Sequence, residues 1–296
     1  MIDVRDRPDS LPPPVRPWQE TAGRTLEMVG RVVAPATAVT AALYYFGYVR
    51  EQAAFRYFGV DLSSVGFSTT DYVVRSAGTV FLPLAVLVVA ALGALAVHNV
   101  LADVLIRPGA RHGVLAGRAL LALSVALLVL GVVGLARRSN AIGSPLLAPL
   151  ALGGGAVLLE YTASVGTVRR DGRAVLTPAP VRRGLLVVLA LVAAFWATAD
   201  IALERGTAVA EAIEVSLPLQ PQVVVYSKGR LQIADAQAVR LPSADALYRY
   251  RYNGLRPLIH ANHFWFLLPA AWTHDNGMRV IVLADSEPGI RIELGP

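Results

Sequence analysis

Ionisable side chains within apolar stretches are the residues of this sequence that could carry chemistry. Glu160 lies in one such stretch, His98 lies near the end of another, and Arg118 precedes a third. Inside a bilayer an ionisable group is costly, and it normally faces a partner, a water-filled cavity or a proton pathway. We therefore predict an intramembrane polar cluster of His98, Glu160 and Arg118. It would act as a structural lock between helices, with a proton or ion pathway and interfacial snorkelling as the alternatives.

The spacing of His98 and Asp103 matches a two-residue signature of glycerolipid acyltransferases, in which a carboxylate orients a histidine base toward a hydroxyl. Five helical positions turn the chain through about 500°, which leaves the two side chains roughly 140° apart. Because they do not share a helix face, and because no further acyltransferase motif follows, we interpret the pair as a polar helix end.

Three histidines near the C-terminus are candidate metal ligands. If Ala261 and Asn262 form a hairpin turn, His260 and His263 become directly opposed, with Cβ atoms about 5 Å apart. Two imidazoles at that separation could share zinc or copper, or repel each other when protonated, and His274 would be a further ligand. Histidines in surface turns are common, so these three remain candidates, and we predict neither a metal site nor a cofactor.

Motifs of the large enzyme classes do not occur in the sequence. It has no serine nucleophile elbow, no phosphate-binding glycine loop and no His-Glu-x-x-His. Gly153, Gly154 and Gly155 lie within an apolar stretch, where small residues let helices approach closely. We expect helix packing there, with an unwound ion-binding break as the alternative, and we expect no enzymatic activity.

The composition indicates that these residues lie on membrane helices. Of the 296 residues, 55% are hydrophobic and 16% are charged, and the mean hydropathy is +0.52. The 27 basic residues are spread along the chain and do not gather with aromatics on one face, so the net charge of +6 does not predict nucleic-acid binding. The absence of cysteine excludes disulfides and cysteine-ligated metals.

Five apolar stretches are each about as long as a helix must be to cross the hydrocarbon core. They are residues 32–49, 78–102, 119–136, 145–168 and 184–203. The first is preceded by 31 residues, too many for the short leading region of a secretory signal, so we interpret it as a retained anchor.

Arginines alternate in number between the segments that flank these stretches. With the N-terminus in the cytoplasm, thirteen arginines lie in the inner segments and five in the outer ones. Because positively charged loops stay in the cytoplasm, we predict a multi-pass protein of the plasma membrane with a cytoplasmic N-terminus and an extracytoplasmic C-terminus.

Beyond residue 203 the hydrophobic pattern changes from helical to alternating. Lys228–Gly229, Asn253–Gly254 and Asn276–Gly277 separate short apolar runs, and such pairs suit tight hairpin turns. A last strand is expected at residues 290–294. We predict an antiparallel meander of six or seven short strands, folded as a small barrel or sandwich.

The first outer loop is rich in aromatic residues. Ser68 followed by Asp71 resembles a capping box, which predicts that the second long helix begins near Thr69. We interpret the aromatic side chains as anchors in the membrane interface. They are Phe55, Tyr57, Phe58, Phe67 and Tyr72.

Two segments resemble stretches of uncharacterised multi-pass integral membrane proteins from high-GC Gram-positive bacteria. They are YYFGYVREQAAFRYFGVDLSSVGFSTTDYVVRS in the first hairpin and YRYNGLRPLIHANHFWFLLP near the C-terminus. The resemblance implies a membrane architecture and carries no known activity.

The predicted fold is a membrane all-α bundle of five transmembrane helices followed by a small antiparallel all-β domain. In chain order we expect a disordered cytoplasmic tail, the five-helix domain, a juxtamembrane connector and an extracytoplasmic β-domain, at residues 1–25, 26–203, 204–221 and 222–296.

We expect a non-enzymatic membrane protein. Its partners would be the lipid bilayer and, through residues 222–296, a protein or a cell-envelope component, because Tyr and Trp suit contact surfaces. The alternatives are a small transporter or channel that uses Glu160 and His98, and a membrane enzyme without a recognisable motif. The sequence predicts no oligomeric state.

Overall fold

The computed structural model describes residues 17–106, 111–136, 145–169, 179–233, 236–242 and 247–295. The chain divides after Ala42 into two compact units, residues 1–42 and 43–296. The described helices, in chain order, are α1 (Pro17–Tyr57), α2 (Leu62–Val65), α3 (Thr69–Ile106), α4 (Arg111–Ala136), α5 (Leu147–Arg169) and α6 (Ala179–Ser216). A short 3-10 helix, Leu217–Leu219, follows α6.

Three of the described helices are long and apolar enough to cross a membrane. The segments are Thr69–His98, Leu115–Ala136 and Pro180–Leu219. Their apolar side chains are largely open to the surroundings; Phe81 and Val89 of α3, for example, are each 68% exposed. Apolar faces of this extent suit contact with lipid and not with water. These three helices indicate that the chain is a membrane protein. Length and composition alone support three spans and not the predicted five.

The helices extend beyond the boundaries expected from the sequence. Residues 17–25 of the predicted disordered tail belong to α1, whereas residues 1–16 lie outside the described residues. The predicted connector at 204–221 is mostly helical, because α6 continues to Ser216. Proline ends it, since Pro218 lies in the 3-10 turn that follows and cannot donate to a helix ladder.

Helix α5 packs between α4 and α6 through small residues. A Cβ atom placed on Gly131 of α4 would lie 2.8 Å from the backbone nitrogen of Leu152. One placed on Gly155 would lie 3.0 Å from the backbone nitrogen of Leu128, and one on Gly153 would lie 3.2 Å from Cβ of Ala193. The predicted role in helix packing is therefore confirmed for Gly153 and Gly155, whereas a Cβ atom on Gly154 would meet nothing within 4 Å. Because α5 is continuous through the three glycines, the unwound break is wrong.

An antiparallel sheet of six described strands follows the helices. The strands are β1 (Gln222–Ser227), β2 (Gln237–Arg240), β3 (Tyr250–Ala261), β4 (Phe264–Pro269), β5 (Ile281–Ala284) and β6 (Ile290–Gly295). Their order is β5-β4-β3-β1-β6, and β2 pairs with β3. The predicted antiparallel β-domain is confirmed. The described strands form one open sheet in place of the predicted barrel or sandwich. The order is also not that of a meander, because β1 lies between β3 and β6.

Two of the predicted hairpin turns are wrong. Asn253 and Gly254 lie inside the long strand β3, where the register against β1 shifts and Gly254 has φ of +81°. This is a β-bulge, in which glycine supplies the left-handed conformation without leaving the strand. After Lys228–Gly229, the expected second strand is irregular. The hairpin of β4 with β5 and the last strand, β6, are confirmed.

Alternation along the strands places apolar side chains on both faces of the sheet. One face carries a cluster that is partly covered by the segment after β1, through Leu231 and Ile233. The Tyr252 hydroxyl donates to the carbonyl of Leu231 at 3.1 Å and accepts from its backbone N–H at 2.6 Å, which holds that segment in place. The buried members of the cluster are Val223, Val225, Tyr252, Leu255, Leu267 and Leu283.

Candidate functional site

The second face of the sheet packs directly against the ends of α1 and α6 and against the α1–α3 loop. We call this contact the helix–sheet junction. Its two buried clusters share Val60, Leu258 and Val280 at their edges. The first consists of Ala54, Phe58, Ala210, Leu217, Leu268 and Trp272, and the second of Phe55, Leu62, Val65, Tyr72 and Phe266.

Strand β4 supplies the sheet side of the junction because its residues alternate. Phe266 and Leu268 face the helices, whereas Leu267 between them belongs to the opposite face. From the next loop, the Trp272 ring lies 4.9 Å from the Phe58 ring, and its indole N–H donates to the carbonyl of Met278 at 2.9 Å. Burying several large side chains at about 2 kcal/mol each makes this a strong attachment.

The loop between α1 and α3 is shaped by two helix caps. Asp61 accepts hydrogen bonds from the backbone N–H and the hydroxyl of Ser63, both at 2.9 Å, and these bonds hold the pKa of Asp61 below its usual value. At α3, the carboxylate of Asp71 accepts from the backbone N–H of Ser68 at 2.8 Å, and the Asp71 N–H donates to the Ser68 hydroxyl at 3.2 Å. The predicted capping box is confirmed, and α3 begins at Thr69 as predicted.

Polar groups from three elements meet at Tyr57, the last residue of α1. Its hydroxyl donates to Oε2 of Glu214 on α6 at 2.5 Å, and the backbone N–H of His274 donates to Oε1 of the same carboxylate at 3.1 Å. The His274 ring stacks on the Tyr57 ring at 4.2 Å and forms a 3.0 Å hydrogen bond with the Tyr57 carbonyl. The bond to Glu214 raises the pKa of Tyr57 to about 12.

Two glycines let the helix backbones touch near the junction. A Cβ atom on Gly47 of α1 would collide with the carbonyl of Tyr72 on α3. A Cβ atom on Gly206 of α6 would collide with the carbonyl of Arg50 on α1. Both contacts bring backbone atoms within van der Waals distance, which only glycine permits.

A buried carboxylate lies beside these close contacts. Glu51 is 4% exposed and accepts from Arg50 at 2.8 Å and from Arg75 at 3.2 Å. The Arg75 guanidinium also lies 4.5 Å from the centre of the Phe67 ring, at cation–π distance. Nearby, Arg205 of α6 donates to the carbonyl of Gly78.

The described contacts of Glu160 and His98 are with residues other than those of the predicted polar cluster of His98, Glu160 and Arg118. Glu160 accepts from Nε of Arg182 and of Arg183, each at 3.2 Å. His98 instead forms a 3.2 Å hydrogen bond between its Nδ1 and the hydroxyl of Tyr161. Arg118 is exposed. The arginines that pair with Glu160 come from the start of α6, which sequence spacing did not connect with α5.

The three candidate histidine ligands lie apart. The hairpin turn is formed by Asn262 and His263, both with positive φ, so His260 lies opposite Trp265 and the predicted facing pair of His260 and His263 is wrong. His260 stacks on Trp265 at 4.3 Å and its Nε2 lies 2.7 Å from Oδ2 of Asp285. His274 is held at Tyr57. Within the described residues, no three potential metal-ligating side chains gather in one place.

Sequence reasoning missed the junction and its polar contacts. Glu51, Glu214 and Arg205 belong to helices that meet only in the tertiary structure, and no spacing in the chain connects them. The one available signal was the density of aromatic residues in the loop between α1 and α3, which we attributed to the membrane interface.

Comparison of the chain with models of known protein families, with curated proteins and with solved structures returned no match.

Proposed function

We propose that this chain is a five-span integral membrane protein that presents its β-sheet domain outside the cytoplasm, where the domain binds a partner protein or an envelope component. The observation that carries the proposal is the helix–sheet junction. A domain attached by two buried clusters to the ends of membrane helices is held in a constant orientation at the membrane surface. A flexible linker would not provide that preorganisation.

The count of five spans is supported by parity. Toward its C-terminal end, α6 meets α3 near the N-terminal end of that helix, because Arg205 donates to the carbonyl of Gly78. Both ends therefore lie on one side of the membrane, which requires an even number of crossings from α3 to α6. The helices α3, α4 and α6, which satisfy length and composition, would give three crossings, an odd number. An even number therefore requires α5 to cross the membrane as well. The contact of Gly206 with the carbonyl of Arg50 supports the same side for the end of α1, and the apolar stretch 32–49 that precedes Arg50 supplies the remaining span of the proposal.

Orientation rests on the arginine count, with thirteen on the inner side against five on the outer side. The chain contains no cysteine, so a single introduced thiol reports its own side of the membrane. Ser286→Cys, at an exposed position beyond β5, should react with a membrane-impermeant maleimide in intact cells. Ala174→Cys, between α5 and α6, should react only after lysis. The reverse pattern would overturn the proposed orientation.

Partner binding is tested best on the full-length chain, because residues 222–296 alone would expose the face that packs on α1 and α6. Strands β2 and β6 carry exposed apolar side chains, among them Val239 at 48% and Leu294 at 59% exposure. A photo-crosslinking residue at Val239 or Leu294 should give a discrete crosslinked species in intact cells, and one at Ala174 should not give that species. If probes on the domain give only the uncrosslinked chain, the binding role is wrong.

The alternative of a transporter that uses Glu160 is less well supported by the contacts of that residue. A carboxylate held by two guanidinium groups is a poor proton carrier, since both pairs favour its charged form. The same contacts fit the structural lock, now between α5 and α6.

A further inference from the structure

Three arginines line a groove among α1, α3 and α6. The groove has a volume of about 450 Å³, within the range of small-molecule sites. Its polar side is formed by Arg50, Arg75 and Arg205, and its apolar side by Ala208, Val209 and Ala212. The three alanine and valine side chains are exposed and do not belong to the buried junction clusters.

The groove carries an excess of positive charge. Glu51 is the carboxylate that pairs with the lining arginines, and it accepts from Arg50 and Arg75. The carboxylate of Asp71 also interacts electrostatically with Arg75, so three guanidinium groups against two carboxylates leave a net positive charge. A guanidinium has five N–H donors, and the described bonds use few of them: Arg50 also donates to the carbonyl of Arg75 at 3.3 Å, and Arg205 donates to the carbonyl of Gly78.

The five spans proposed above, on which this inference rests, put the groove at the depth where a bilayer presents its headgroups. Arg50 directly follows the apolar stretch 32–49, Gly78 begins the stretch 78–102, and Arg205 lies two residues beyond the stretch 184–203. All three positions are therefore at ends of apolar segments that the proposed orientation puts outside the cytoplasm. An amphiphile could place its polar group against the arginines while its chains follow the exposed apolar surface of α3 and α6.

We propose that this groove binds a phosphate monoester, carried by a lipid headgroup or supplied as free phosphate. A phosphate monoester has a charge of about −1.5 to −2 at neutral pH, which complements the net positive charge of the groove. Guanidinium groups bind its oxygens through paired, charge-assisted hydrogen bonds. A volume of about 450 Å³ exceeds that of a phosphate group alone, so the groove also has room for the atoms that carry it. The site is independent of the proposed role of the sheet.

The test measures thermal unfolding of the full-length chain in detergent micelles. Phosphatidic acid should raise Tm, and diacylglycerol with the same acyl chains, which lacks the phosphate, should not. Inorganic phosphate identifies the source: no shift with inorganic phosphate assigns the site to a lipid headgroup, whereas an equal shift assigns it to a free phosphate. If neither phosphate compound shifts Tm, the proposal is overturned.

Variants locate the effect in the groove. Arg205→Gln should weaken the apparent affinity for the stabilising compound about tenfold, whereas Arg291→Gln, on the exposed part of β6, should not change it. Arg205 bonds to a backbone carbonyl in the described contacts, so its loss leaves the Glu51 pairs intact. Ala208→Glu places a carboxylate in the groove and should abolish the shift, while Ala208→Gln, of nearly equal size, should retain it. Equal shifts in Arg205→Gln, Ala208→Glu and the unchanged protein would overturn the proposal.

Discussion

At the scale of single residues, Tyr57 connects α1, α6 and the loop after β4. Its hydroxyl bonds to Glu214, and its ring and carbonyl contact His274. The sequence did not connect these groups, because His274 was a candidate metal ligand and Tyr57 was one of several aromatics in a loop. The role of the residue comes from the partners that folding brings to it.

Tyr57→Phe should lower the stability of the chain by about 1 kcal/mol, because the Glu214 carboxylate loses a donor. The folded pKa of Tyr57, about 12, lies above the usual value of 10, so its contribution is complete below pH 10 and is lost as the pH rises through 12. The difference in Tm between the two proteins should therefore shrink from pH 9 to pH 12. A difference that stays constant over this range would contradict the assigned hydrogen bond.

Glu160→Gln tests the lock between α5 and α6. The change keeps the size of the side chain and removes the charge that pairs with Arg182 and Arg183, so we expect a loss of about 1.5 kcal/mol in thermal unfolding in detergent. Glu204→Gln, an exposed carboxylate on α6, is the matched control and should leave Tm unchanged. Equal stability of Glu160→Gln and the unchanged chain would rule out the lock.

At the scale of elements, glycine decides which helices touch. Gly206 on α6 faces the backbone of α1, and Gly154 on α5 has nothing within 4 Å of a Cβ atom placed on it. The two residues look alike in the sequence because both lie in helices rich in small residues. Their difference depends on the neighbouring helix.

Gly206→Ala should destabilise the chain by about 1 to 3 kcal/mol, since the added methyl group would force α1 and α6 apart. Gly154→Ala should be neutral or slightly stabilising, because alanine has the higher helix propensity. Thermal unfolding of both variants in the same detergent measures the difference. A smaller loss for Gly206→Ala than for Gly154→Ala would show that the close contact is absent in solution.

The β-bulge in β3 likewise depends on one glycine, Gly254. Gly254→Ala should cost about 1 kcal/mol, because alanine is strained at a φ of +81°. Gly229→Ala is the control, since a Cβ atom there meets nothing within 4 Å and the backbone is not left-handed. Equal Tm values for the two variants would indicate that Gly254 does not form the bulge.

At the scale of the whole molecule, residues 43–296 form one compact unit that includes both helices and sheet. The sheet is not an independent module, because Phe266 and Leu268 are buried against the helix ends. This differs from the domain division expected from the sequence, in which residues 222–296 followed a connector.

Residues 222–296 expressed alone should bind a hydrophobic dye and self-associate, since the junction face would be exposed to water. Dye fluorescence and size-exclusion chromatography measure this outcome. The double variant Phe266→Ser and Leu268→Ser of the fragment is the control and should bind less dye. A monomeric wild-type fragment that unfolds cooperatively without dye binding would contradict the dependence on the helices.

The membrane character, the capping box at Ser68 and Asp71, and the antiparallel strands could be predicted from the sequence, because each depends on composition or on neighbours within a few residues. Periodicity does not distinguish a tight turn from a bulge, so Asn253–Gly254 was placed in a hairpin although it lies within β3.

The amino-acid sequence by itself determined that apolar helices precede an antiparallel sheet, since hydrophobic periodicity is a local property of the chain. Only the tertiary structure decided that Glu160 pairs with Arg182 and Arg183, that Tyr57 meets Glu214, and that three arginines from three helices share a groove. These contacts join residues 22 to 157 positions apart. Their partners are selected by how helices pack, and local spacing carries no record of that packing.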